Sequence, residues 1–226
     1  MCDSSTFMNT KQPIQYPKRQ AKKQINRERL IDSARELFST HGYQTTRLED
    51  VAAKADLHVQ TLYRLFENKE NLAAEAAKFV IDNWRQRFAA ATTDQSTFQI
   101  WRGLIRRAII LYAPSGWEHK RAQLRSASSL MNDNFLLIVY SGWEDLLTEY
   151  LAKDFQMDPK HDRLPRLVAS FLWSGHETAM KRCAGLDTDK DVLIDDEAVL
   201  AESLGVVDDV ENIFSGYIKR PGLTRS

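Results

Sequence analysis

The chain has 226 residues, of which 43% are hydrophobic and 27% charged, with 31 basic and 31 acidic side chains and a formal net charge of zero. Nine glycines and six prolines are too few for a turn-rich sandwich or a largely disordered chain, so the composition points to a soluble all-α protein. The length accommodates a small domain joined to a larger one. No apolar run approaches the roughly 20 residues needed to cross a bilayer, and the N-terminal stretch lacks the charged-then-apolar pattern of a secretory signal. Membrane insertion and export are therefore not expected, and the cytoplasm is the expected compartment. Cys2 and Cys183 stand far apart without a CxxC pattern, so no disulfide framework, metal site or cofactor is expected.

Charge is unevenly distributed. Residues 11–29 carry Lys11, Lys18, Arg19, Lys22, Lys23, Arg27 and Arg29 against Glu28, whereas residues 187–211 hold ten carboxylates and one lysine. A basic front and an acidic rear suit different partners, although a solvated tail is the other reading of such an arm. Residues 1–24 contain Pro13, Pro17 and polar residues without helical periodicity, so they read as a flexible basic arm, with order beginning near Asn26.

In chain order, Leu30, Ile31, Ala34, Leu37 and Phe38 recur at helical spacing, and Gly42 supplies the stop. Thr46 followed by Glu49 is a capping-box pattern opening a second helix through Val51, Ala52 and Ala53 to about Ala55. After a break at Asp56-Leu57, a third short helix runs through Val59, Leu62 and Tyr63. Asn68 then caps a long helix over 69–91. Further helices are expected over 95–112, 117–131, 132–155, 162–184 and 195–218, the last broken at Gly205. Residues 25–70 thus form a reader domain and 71–220 a helical body.

Two short helices joined by a tight turn suit DNA, because one crosses the backbone while the other enters the major groove. His58, Val59 and Gln60 would stand at the groove entrance, with Gln60 able to make paired hydrogen bonds to adenine. Thr61, Tyr63, Lys69 and Thr46 are candidates for phosphate contacts that fix register. Lys18, Arg19, Lys22 and Lys23 would add affinity by counterion release or reach a neighbouring minor groove. Leu62 and Phe66 fit a small core by periodicity, and Tyr63 fits either role.

Residues 30–72, with "LFSTHGYQTT", "LEDVAAKADL" and "TLYRLFENKENL", resemble the DNA-binding domain of the TetR/AcrR family of bacterial regulators. Three positions depart from the usual family pattern: Asp56 replaces a turn glycine, His58 a capping Ser or Thr, and Gln60 a small residue. Asp tolerates left-handed geometry, whereas His is a poor helix cap. The resemblance implies a homodimer on a palindromic double-stranded DNA operator, dimerised through the helices over 162–184 and 195–218. It also implies an effector pocket in the body and release from DNA when that pocket fills.

All five tryptophans, Trp84, Trp101, Trp117, Trp143 and Trp173, lie in the body. Helical bundles hold small molecules between helices, so Trp84, Trp101, Ile105, Tyr112, Arg125, Tyr140, Trp143, Trp173 and His176 are the candidate lining. By itself an aromatic stripe is more often a plain core. Arg106 and Glu177 are further polar residues in apolar stretches, His176 also fits a hydrogen-bonded core histidine, and Arg125 a structural ion pair. Residues 124–166 are loosely similar to sensing domains of regulators of acyl-CoA-like ligands, which would make the effector elongated and hydrophobic.

An all-α enzyme and a protein-interaction adaptor are the competing classes. His176-Glu177 lacks the second histidine of a zinc-protease helix, because Met180 stands there, and no phosphate-cradling glycine loop or nucleophile elbow occurs. Asp187, Asp189 and Asp191 have calcium-loop spacing, but Val192 replaces the turn glycine and Ala198 the closing glutamate.

Overall fold

The structure, a computed structural model, describes residues 17–91, 94–112, 117, 120, 121, 124 and 133–222, without the side chains of 111 and 112. Among these residues there are eight α-helices, with only an isolated bridge between Ala184 and Asp191 in extended pairing. They are α1 (Pro17–His41), α2 (Leu48–Lys54), α3 (Val59–Leu65), α4 (Lys69–Ala91), α5 (Thr97–Tyr112), α6 (Asn134–Phe155), α7 (Leu164–Cys183) and α8 (Asp196–Phe214), the last followed by a 3-10 turn at Ser215–Tyr217. The expected helix over 117–131 lies largely outside the described residues.

Helix α1 begins at Pro17, so residues 17–24 are helical and not part of a flexible arm. Proline is favoured at a first helical position, and the Lys, Arg, Gln and Ala that follow are good helix formers. Gln24 also donates to Glu28 one turn on at 2.8 Å. Because these first turns bury nothing, apolar periodicity does not register them. Helix α1 ends where Gly42, at φ 87°, donates back to the Phe38 carbonyl at 3.1 Å.

The second helix starts one position later than the Thr46 pattern predicts. Arg47 is its N-cap, and its N–H donates to the Asp50 carboxylate at 3.3 Å. Thr46 is buried, and its hydroxyl donates to the Gly42 carbonyl at 2.8 Å, closing the turn out of α1. A short polar side chain beside unsatisfied helix-end carbonyls has that competing use.

Between α2 and α3 Asp56 takes the left-handed conformation at φ 53°. Leu57 N–H reaches the Ala52 carbonyl at 2.9 Å, and the Asp56 carboxylate accepts from Arg29 at 3.4 Å. Replacing Asp56 with glycine is expected to leave stability within about 0.5 kcal/mol, since relief of the left-handed strain offsets the entropy and the exposed ion pair lost. Asp56→Val, a β-branched residue forced to positive φ, should cost about 1–2 kcal/mol, read as a lower urea midpoint.

Later helix ends also have local causes. Ser96 and Gln99 form a reciprocal capping box that opens α5, with contacts of 2.8 and 3.3 Å. Asp195 caps α8 through the N–H groups of Glu197 and Ala198, both at 3.1 Å. Gly205 does not interrupt α8, which is continuous to Phe214. A Cβ at Gly175 would collide with Val206, so that glycine is what lets α7 and α8 pack closely. Helices α4, α6, α7 and α8 pack in succession, α5 lies on α8, and α1 lies on α4. One apolar core runs from Leu30 and Phe38 through Phe135 and Leu147 to Leu172 and Val207.

Candidate DNA-binding surface and effector cavity

Helix α3 separates two faces. Leu62 is fully buried, and Phe66, the residue that ends the helix, is almost so. Gln60, Tyr63 and Arg64 are exposed on the other side, at positions i, i+3 and i+4. Tyr63 keeps 53% of its surface open, an unusual exposure for a ring that has a core within reach. His58 is the exposed N-cap in extended conformation, and its side chain makes no capping bond. Val59 is half-buried against the core and Thr61 is half-buried, so both take less of the outer face than the spacing predicts. Arg64 was not among the sequence candidates, although its place one turn after Gln60 is readable from spacing alone.

The helix is clamped from behind by Arg27. Its guanidinium donates to the Leu65 carbonyl at 3.2 Å, pairs with Glu75 at 3.2 Å, and lies 4.5 Å from the Phe66 ring centroid. A helix of seven residues is too short to hold itself, and this clamp fixes its C-terminal end to α1 and α4.

Lys18, Arg19, Lys22 and Lys23 are exposed along the first turns of α1. Lys69 lies at the start of α4, where Asn68 caps the helix by accepting from Asn71 N–H at 2.7 Å. Its ammonium sits 4.4 Å from the Tyr43 ring centroid and 3.4 Å from the Gln44 carbonyl. Burial pushes its pKa down, with Glu70 and Asp133 opposing. Lys69 is thus partly engaged in holding the turn, and Thr46 is enclosed entirely. The reader candidates that face outward are His58, Gln60 and Tyr63, together with the four basic residues of α1.

In the body, a cavity of about 430 Å³ lies between α1, α4, α5, α6 and α7. Its wall includes Trp84, Trp101, Ile105, Tyr140, Trp143, Trp173 and His176, all sequence candidates. The Tyr112 side chain and Arg125 lie outside the described residues. Arg106 is exposed and takes no part. The rings form a connected series: Trp84 to Trp143 at 4.8 Å, Trp143 to Trp101 at 5.2 Å, and Trp101 to Trp173 at 6.3 Å. Tyr140 closes against Trp173 at 4.3 Å.

Sequence spacing missed Lys120, which pairs across the wall with Glu177 at 2.9 Å. Burial pushes the Glu177 carboxyl up, but the Lys120 ammonium beside it pulls it net below the usual carboxylate range. His176 is held neutral, its pKa brought down to about 4 first by burial and then by Lys120. Arg35, Glu36, Ser39 and Thr40 of α1 also reach this wall, so the first helix is part of the cavity. Phe38 packs on Phe135, another wall residue, at 5.5 Å, and Asp133 accepts from the Tyr43 N–H at 3.1 Å while capping Leu136 at 2.9 Å. Among the described residues no helix is long and apolar enough to cross a membrane, and no cluster of three metal-ligating side chains occurs.

Comparison with known proteins gives a consistent picture. Residues 30–76 match the pattern for bacterial regulatory proteins of the tetR family. The chain is 26% identical over 152 residues to the HTH-type transcriptional regulator TcmR of Streptomyces glaucescens, covering 67% of this chain and 62% of that protein. It is 38% identical over 68 residues to the HTH-type transcriptional repressor ComR of Escherichia coli (strain K12), covering 30% of each. The fold is similar to that of a tetR-family transcriptional regulator from Streptomyces coelicolor, with a TM-score of 0.59 at 16% identity over 86% of this chain and 82% of the other. The outward-facing third helix described above falls wholly within residues 30–76, the segment that is similar to the tetR family of bacterial regulatory proteins.

Proposed function

We propose that this protein is a ligand-responsive, DNA-binding transcriptional repressor of the cytoplasm. It binds a palindromic operator as a homodimer and leaves it when a small hydrophobic effector fills the body cavity. The observation that carries the reading is the two-faced third helix, which buries Leu62 while offering Gln60 and Tyr63 to solvent, on a domain whose first helix also walls the cavity. Gln60 and His58 read base edges, Tyr63 and Arg64 contact backbone, and the basic first turns of α1 add phosphate contacts. Helices α7 and α8 and the 3-10 turn after α8 leave Leu167, Phe171, Ile213 and Tyr217 exposed, with Phe171 stacked on Phe214 at 5.9 Å. A second copy covering that apolar strip would place two recognition helices about 34–36 Å apart for successive major grooves.

Effector response follows from who owns the wall. Helix α1 supplies Arg35, Glu36, Ser39 and Thr40, and α4, which follows the recognition helix after three residues, supplies Val80 and Trp84. An occupant that favours a different spacing of α1 and α4 shifts the population away from the DNA-competent arrangement.

The test is a mobility-shift titration on promoter fragments with random competitor at several salt concentrations. Saturable binding to one palindrome, weakening steeply with salt, is the expected result; no preference over competitor rejects the reading. Within that assay Gln60→Ala should lose about 1–3 kcal/mol on the best site and relax base preference there, whereas Lys22→Ala should weaken all sites alike and lower the salt slope by about one.

A further inference from the structure

The cavity wall constrains the chemistry of its occupant. Its ionic groups are Arg35, Glu36, Lys120 and Glu177, and each has a counter-charge within the protein. Lys120 and Glu177 pair at 2.9 Å, Glu36 pairs with Lys54 at 2.7 Å, and Arg35 lies 3.6 Å from Asp32. An anionic group placed beside Lys120 would have to draw it from Glu177, stranding a carboxylate that is only 22% exposed, whereas Arg35, 42% exposed on α1, offers an anion only the solvent-facing edge of the wall. Removing one partner of such an enclosed pair is strongly unfavourable. A cationic occupant would strand Lys120 in the same way, even though the rings around it could hold a cation.

Three buried polar atoms of wall residues make no hydrogen bond among the described residues: Arg35 Nε, Trp101 Nε1 and His176 Nδ1. Trp101 is 3% exposed. The indole N–H can only donate. A buried donor left unpaired is costly, so an occupant that brings an acceptor gains over one of equal shape that does not. The remaining wall is mostly ring surface. Trp84, Trp101, Trp143, Trp173 and Tyr140 meet one another tilted or edge-on, at interplanar angles from 50° to 71°. Rings so disposed present both faces and edges, which suits a flat aromatic partner better than a methylene chain. The volume of about 430 Å³ is within the range of small-molecule sites.

Resting on the effector reading above, we propose that the occupant is an uncharged, flat aromatic molecule bearing a hydrogen-bond acceptor, an aryl ketone or phenol, that lies among the tryptophan rings and accepts from Trp101 Nε1–H. The paired Lys120 and Glu177 stay together and disfavour a charged group at their part of the wall. An acyl chain ending in a carboxylate is then a poor occupant, in contrast to the loose likeness of residues 124–166 to acyl-CoA sensors.

The test is calorimetric titration of the full-length protein, without DNA, with four probes: fluorenone, fluorene, fluorenecarboxylate and decanoate. Fluorenone is expected to bind about fivefold to tenfold more tightly than fluorene, the loss of one hydrogen bond, and more tightly than either anion. In Trp101→Phe the preference for fluorenone over fluorene should disappear. Equal binding of fluorenone and fluorene, tighter binding of fluorenecarboxylate or decanoate, or no binding of fluorenone overturns the proposal, and the wild-type comparison decides this even where the variant does not fold. Operator binding by the ligand-free protein is read separately, so a failure there rejects the regulator reading and leaves this result standing.

Discussion

Phe38→Ala is expected to lower stability by about 3–5 kcal/mol, the cost of emptying a well-packed aromatic site. Phe38 is fully buried, with the Tyr43 ring at 5.4 Å on one side and the Phe135 ring at 5.5 Å on the other. Tyr43 belongs to the turn that leads into α2, and Phe135 is in the first turn of α6 and on the cavity wall. The side chain therefore joins the core of the N-terminal helices to the cavity wall. For a chain of this size the loss corresponds to a melting temperature lower by roughly 6–20 °C, measured at fixed protein concentration because the proposed self-association would make melting depend on it. Phe38→Leu, which keeps most of the volume, should recover much of the deficit. On the proposed function the alanine variant should also lose effector response, releasing operator less than wild type at the same occupancy. An unchanged melting temperature would mean that the site collapses around the missing ring and that this contact does not join the two parts.

How legible this molecule is in its sequence depends on the distance over which each feature is determined. The faces of α3 are legible because Leu62 and Phe66 are one helical turn apart and the alternation is local. The stop at Gly42 and the left-handed Asp56 are legible for the same reason, each being set by a single residue's allowed conformations. Thr46 misleads because two neighbouring four-residue patterns, from Thr46 to Glu49 and from Arg47 to Asp50, both look like helix starts. The one that wins is decided by the Gly42 carbonyl, which captures the threonine hydroxyl. The first turns of α1 escape periodicity because a helix with no buried face has no apolar rhythm, and only the run of good helix formers after Pro17 records it. In the body, aromatic content is visible but its convergence is not, since Trp84, Trp101, Trp143 and Trp173 come from four different helices. The pair between Lys120 and Glu177 spans 57 positions and is created by packing alone.

Acid should destabilise this protein through His176 before most carboxylates titrate. His176 lies on α7 between Trp101 at 6.5 Å and Trp173 at 6.2 Å, with Lys120 and Glu177 as the charged groups nearest to it. Burial, reinforced by the Lys120 ammonium and opposed by Glu177, brings its folded pKa down to about 4 from an ordinary value of 6.5. The folded protein therefore resists a proton that the unfolded chain accepts. Stability from this group is fully present above about pH 6.5, declines as pH falls below that value, and is lost once pH has dropped through about 4. A difference of that size is worth about 3 kcal/mol. In urea titrations from pH 7 to pH 4, wild type should weaken progressively, and His176→Leu should weaken less over the same interval. The carboxylates outside this cluster are common to both proteins, so the difference between the two curves isolates the histidine. Parallel curves would mean that water or Glu177 stabilises the imidazolium inside the fold, and that the cavity beside Trp101 is more polar than its ring lining makes it.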